Sequence, residues 1–179
     1  MLYSTIIRYI QGVGKMKWNK IMAIVLVAAV ALALYACGNT SKVRNDVFVE
    51  TLAKEVIEAL GKDDESFKAM DKDYIQGYMG LDVNNYDGYA VYKNAIGANI
   101  DEFGIFKAKN SDQAKEIKSA VEDYLDMMLA GWMDEYMPLE KPKLTSAKAK
   151  IVGNYVMYCI LSEDAVKTAN ETLDNALQG

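Results

Sequence analysis

The chain has no histidine and only two cysteines, Cys37 and Cys159. The usual general base and the commonest metal ligand are therefore missing. It also lacks a Gly-x-Ser-x-Gly elbow, a Ser-x-x-Lys pair and a phosphate-binding glycine loop. Cys159 lies in an apolar stretch with no histidine to activate it, so an inert core thiol is expected. What remains for catalysis is carboxylate chemistry: the chain carries 25 Asp and Glu, and two facing each other across a cleft would make a glycoside hydrolase. Segment 82–88, Asp82-Val83-Asn84-Asn85-Tyr86-Asp87-Gly88, places oxygen ligands at alternate positions, as calcium loops do. Tyr86 nevertheless occupies a ligand position, and Lys93 stands twelfth, where such a loop needs glutamate. A solvated turn is expected there, and Asp63-Asp64-Glu65 reads as a solvated charge run. No metal or cofactor is implied.

Two groups of residues suit binding rather than catalysis. Tyr86, Tyr89 and Tyr92, with Tyr74 and Tyr78 upstream, concentrate aromatic area that could receive a sugar or a peptide. Strand alternation puts Tyr89 and Tyr92 on opposite faces, which points equally to core packing. Lys148 and Lys150, following Lys141 and Lys143, form a basic strip that could meet an anionic wall polymer. Lysines that guard an edge strand are the competing reading.

Cys37 has a different chemistry in prospect. It follows Leu34-Tyr35-Ala36 at the end of an apolar run over residues 21–34, itself preceded by the basic start Lys15-Met16-Lys17-Trp18-Asn19-Lys20. That run is shorter than the roughly 20 residues needed to span a bilayer, and a small residue before the cysteine suits cleavage. The string is similar to a bacterial lipobox, which implies acylation of the Cys37 thiol and its exposure as a new N-terminus. Residues 1–36 are then expected to be a lipoprotein signal peptide, with translation beginning at Met16. Residues 37–45 would be a lipidated tether and 46–179 a single domain on the extracytoplasmic face of the membrane. Beyond the leader, 16 basic residues stand against 25 acidic ones, a net charge of −9. That charge argues against nucleic acid as a partner, because phosphate binding needs a basic footprint.

Periodicity predicts the elements that must position these groups. A helix is expected over 47–60, closed by Gly61, and a second from Asp71 to Met79, stopped by Gly80. Strands are expected at 86–92 and 103–106. Asn110 and Gln113 have capping-box spacing before a long helix with Ile117, Val121, Tyr124, Leu125, Met128 and Trp132 on one stripe. After a loop at Pro142, residues 147–152 and 155–161 flank the turn Gly153-Asn154, and Ser162 opens a last helix to Leu177. The second strand of that hairpin is apolar on both sides and should be central.

Two hairpin-helix units predict an α+β, two-layer domain: a four-stranded antiparallel sheet covered by the long and terminal helices, with two N-terminal helices beside it. Asp101-Glu102-Phe103-Gly104-Ile105-Phe106-Lys107, the long helix ending in Tyr136-Met137-Pro138, and Gly153-Asn154-Tyr155-Val156 together resemble a family of uncharacterised lipoproteins, mostly of Gram-positive anaerobes, described as a domain of unknown function. The resemblance runs from about Val47 to Leu177 and implies a surface lipoprotein with no assigned activity. The expected role is a non-catalytic, lipid-anchored domain binding a protein or another envelope component. A histidine-free carboxylate hydrolase of envelope glycans and a structural envelope-assembly lipoprotein are the alternatives.

Overall fold

Helix α1 (Val49–Ala59) forms within the expected span 47–60 and turns Val49, Leu52, Ala53, Val56 and Ile57 inward, leaving the apolar side chains of Phe48 and Ala59 exposed. In this computed structural model the described residues are 43–63, 65–133 and 135–179. The expected signal peptide, Cys37 and the expected tether as far as residue 42 lie outside them. Strand β1 (Phe67–Ala69) leads to helix α2 (Lys72–Met79), where the Asp71 carboxylate accepts the Tyr74 amide at 2.8 Å and left-handed Gly80 ends the helix. A 3-10 turn (Val83–Asn85) precedes β2 (Gly88–Asn94) and β3 (Glu102–Lys107). Helix α3 (Ser111–Ala130) begins at Asn110, whose side chain accepts the Asp112 and Gln113 amides. The return bond from Gln113 reaches the Lys109 amide rather than that of the cap itself, a displaced capping box. Helix α4 (Lys141–Ser146), β4 (Ala149–Val152), β5 (Tyr155–Ile160) and α5 (Glu163–Leu177) complete the unit.

The fold is α+β, with, among the described residues, a five-stranded antiparallel sheet and five helices in place of the expected four strands and four helices. Strand order is β1-β2-β3-β5-β4. The extra strand, β1, spans only three residues beside the acidic run, too few to show a period; pairing with β2 holds it. The extra helix, α4, was expected as a loop at Pro142. Proline sits in its first turn, where the missing N–H costs nothing. β3 is the middle strand, and β5, expected to be central, lies between β3 and the edge strand β4. All six β5 side chains are buried, because an interior strand is covered on both faces.

The two-layer arrangement also gives way, because helices cover both faces of the sheet. On one face Tyr92, Phe103 and Cys159 share a row, and Ala90, Ile105 and Met157 the next; they pack under α1 and α5. On the other, Val91, Phe106, Val156, Tyr158 and Ile160 pack against Ile75 and Met79 of α2, Ile117, Val121 and Tyr124 of α3, and Leu144 of α4. The long and terminal helices therefore lie on opposite faces.

Packing begins ahead of Asp46. The Arg44 amide donates to the Leu177 carbonyl at 3.0 Å, and the Tyr155 hydroxyl accepts the Val47 amide at 3.1 Å and donates to the Val47 carbonyl at 2.7 Å. The chain thus enters beside the β4–β5 turn.

Candidate functional site

On the face covered by α2 and α3, Lys93 of β2 pairs in register with Glu102 of β3, and Glu102 with Ile160 of β5. Alternation turns Glu102 into the same layer as Phe106 and Tyr158. It is fully buried, and among the described residues no other charged side chain is. A carboxylate stripped of water is tolerated only with partners. Its Oε1 accepts from the Tyr158 hydroxyl at 2.6 Å and the Tyr124 hydroxyl at 2.9 Å. Its Oε2 lies 3.3 Å from Lys93 Nζ and, at a longer 3.4 Å, from the Tyr74 hydroxyl. Lys93 also donates to the Tyr74 oxygen at 3.0 Å. Five elements, α2, β2, β3, α3 and β5, converge on one carboxylate.

Gly104 makes the innermost of these bonds geometrically feasible. It faces Tyr158 across β3 and β5, and a Cβ there would stand 2.4 Å from Tyr158 Cε1. The Tyr158 ring lies in the space a side chain would fill, so its hydroxyl reaches the neighbouring row, where Glu102 sits.

The electrostatics follow from burial beside a fixed charge. Burial, then the Glu102 charge, push Tyr158 and Tyr124 far above the ordinary phenol range, so both remain protonated donors. For Lys93, burial works to lower the pKa, but the Tyr74 bond and the Glu102 charge together outweigh it and raise the pKa. The centre is thus an ammonium–carboxylate pair of zero net charge.

Lys93, with Glu102 buried behind it, forms the floor of a cavity of about 430 Å3, lined by Tyr74, Tyr78, Lys93, Tyr124, Met127 and Met128. Tyr74 and Tyr78 stack with centroids 5.1 Å apart. The Tyr78 and Met127 side chains stand at the surface, 68% and 55% exposed. Lys93, its side chain 37% exposed, connects the buried carboxylate with the opening. A larger cavity of about 660 Å3 lies where α4 meets the start of α5, but its one cation, Lys143, is held by Asp101 at 2.7 Å and Glu140 at 2.8 Å. The smaller cavity combines apolar walls with a polar floor, the pattern of a ligand site.

The residues expected from sequence do not assemble into one site. Tyr86 meets Phe106 edge-on, Tyr89 packs against the same core layer, and Tyr92 stacks on Phe103 across the sheet. Lys148 and Lys150 lie at the edge strand, where Lys150 pairs with Asp174 at 2.6 Å; both line a cavity of about 230 Å3 that also touches Cys159. Burial pushes the Cys159 thiol up to about 12. Segment 82–88 is a turn in which the Asp82 carboxylate accepts from Asn84, Asn85 and Gln76. Among the described residues no group of three or more His, Cys, Asp or Glu could hold a metal. The sequence reading missed Glu102 and Lys93. Its one signal for Glu102 was a charged residue opening an otherwise apolar strand.

No curated protein and no solved structure matches the chain. The family described as Domain of unknown function (DUF4358) matches residues 61–161. That span is shorter than the resemblance over 47–177, leaving out α1 and α5 but containing the whole sheet, α2, α3 and every residue of the Glu102 cavity. With more than half its length matched, the chain belongs to the DUF4358 family.

Proposed function

We propose that the chain is a lipid-anchored, extracytoplasmic binding domain, attached through Cys37, whose Tyr74–Lys93–Met127 cavity receives a protein of the cell envelope. The observation that carries this reading is an open, apolar-walled cavity above a carboxylate whose oxygens are already engaged. A catalytic carboxylate must reach a substrate atom, whereas Glu102 is spent on orienting Tyr124, Tyr158 and Lys93. The hydrolase alternative needs a second carboxylate facing the first, and the groups that meet Glu102 are the hydroxyls of Tyr74, Tyr124 and Tyr158 and the Lys93 ammonium. Methionine and tyrosine at the rim suit a protein partner, since thioethers adapt their shape and tyrosine contributes area at small entropic cost.

A photoreactive phenylalanine analogue in place of Tyr78, in the full chain expressed in its own envelope, tests this. Crosslinking to one discrete protein from position 78, and not from exposed position 171 on α5, is expected. Equal labelling from both positions, or none from 78, would overturn the reading. Cys37→Ser should abolish lipid labelling of the same chain; undiminished acylation would remove the anchor.

A further inference from the structure

We propose that the cavity recognises an aromatic side chain with a neutral hydrogen-bonding tip, tyrosine above all, in a polypeptide segment flanked by basic residues. This rests on the binding reading above and specifies its ligand. The floor sets the polarity. An ammonium has three N–H donors, and among the described residues those of Lys93 are directed to Tyr74 and Glu102, leaving one for a ligand acceptor. Because Glu102 already neutralises Lys93, a hydroxyl or carbonyl suits that donor better than a carboxylate. A carboxylate would also enter against the chain's net charge of −9 beyond the leader.

The walls set the shape. The exposed Tyr78 ring offers a stacking face, and Met127 and Met128 supply thioethers that favour aromatic neighbours. Exposed Asp123 and Asp126 share a turn of α3 with Met127, so basic residues beside the aromatic anchor meet opposite charge. The volume of about 430 Å3 fits an anchoring side chain with adjoining backbone. The site is also reachable on an anchored chain. Glu102 and Ile160 lie at the opposite end of the β3–β5 ladder from Lys107 and Tyr155, where the chain enters, about 17 Å away at strand rise.

Methionine-methyl NMR of the full chain in detergent micelles reads this directly, with Met127 and Met128 assigned by Met→Leu variants. The probes are acetylated, amidated Lys-Tyr-Lys, Lys-Ala-Lys and Glu-Tyr-Glu, and the neutral sugar diacetylchitobiose. Lys-Tyr-Lys should shift both methyls saturably, with the other two peptides about tenfold weaker, and Tyr78→Ala should weaken Lys-Tyr-Lys by about the same factor. Acetylated, amidated Lys-Phe-Lys, a further probe, should bind the native chain more weakly than Lys-Tyr-Lys, and Lys93→Met should erase that preference while the fold, read from the remaining methyls, is retained. Equal response to Lys-Ala-Lys or Glu-Tyr-Glu would overturn the inference, and so would diacetylchitobiose acting in place of the peptides. If position 78 crosslinks to a protein but no tripeptide binds, the ligand class is wrong and the binding reading stands; with no crosslink, the binding reading itself falls.

Discussion

The two faces of the sheet bury comparable layers of side chains yet treat polarity in opposite ways. Under α1 and α5, Phe103, Ile105, Met157 and Cys159 form a layer without a buried charge, and its one deep hydroxyl, on Tyr155, is spent on the Val47 backbone. Under α2 and α3, the equivalent layer encloses Glu102 with three tyrosines and a lysine beside an open cavity. Replacing a buried ion pair with apolar groups is often neutral or stabilising. On the binding reading proposed above, the opening of the second face is what such a charge serves.

The sharpest way to break that contrast is to put a charge where the dry face has none. Cys159→Asp places a carboxylate beside Phe103 and Met157, where Lys150 across the small cavity already pairs with Asp174, and a loss of several kcal/mol or failure to fold is expected in urea titration. Cys159→Ala should cost only about 1 to 2 kcal/mol, with little reaction of the native thiol towards a polar reagent. The converse change, Glu102→Ala, strands Lys93 and the hydroxyls of Tyr124 and Tyr158 without their acceptor, and should cost about 3 kcal/mol. Gly104→Ala should cost about 1 to 3 kcal/mol by driving Tyr158 off Glu102. Its effect should not add to that of Tyr158→Phe, because both break the same bond.

Alkaline titration compares the faces without deep mutation. Tyr124, Tyr158 and Lys93 all have raised folded pKa values, so the folded state holds protons that the unfolded chain releases. Their contribution is complete below about pH 10 and lost as pH rises, by about 1.4 kcal/mol per pH unit for each tyrosine. Cys159 acts in the same direction from about pH 9 up to its folded value of about 12. Stability against pH should therefore start falling near pH 9 in the native chain, and only near pH 10 in Cys159→Ala. Tyr124→Phe should leave the onset unchanged and flatten the later slope. The smallest expected effect is that of Tyr78→Ala on folding, within about 0.5 kcal/mol, since the ring is 68% exposed. A larger loss would make Tyr78 a structural residue rather than part of a docking rim.

Local signals located most of the elements. Asp71 and Gly80 bound α2, Asn110 opens α3, and Gly153, at φ 59°, makes the β4–β5 turn. Each is a case of backbone chemistry acting over a few residues. Where that chemistry was too short or ambiguous, at three-residue β1 and proline-initiated α4, the elements escaped notice. The site was less legible than the fold. The tyrosine-rich stretch held only two of its members, Tyr74 and Tyr78, whereas Tyr86, Tyr89 and Tyr92 were distributed between the two core layers.

By itself, then, the sequence determined helix caps, turns, strand alternation and the apolar character of β5, all of which depend on neighbours within about one or two turns of chain. Which face each helix covers depends on long-range packing that periodicity leaves open, since an amphipathic stripe specifies a buried side and not the surface it meets. The same holds for Glu102. Its partners stand at 74, 93, 124 and 158, and only strand register and the docking of α2 and α3 bring their hydroxyls and ammonium to one carboxylate.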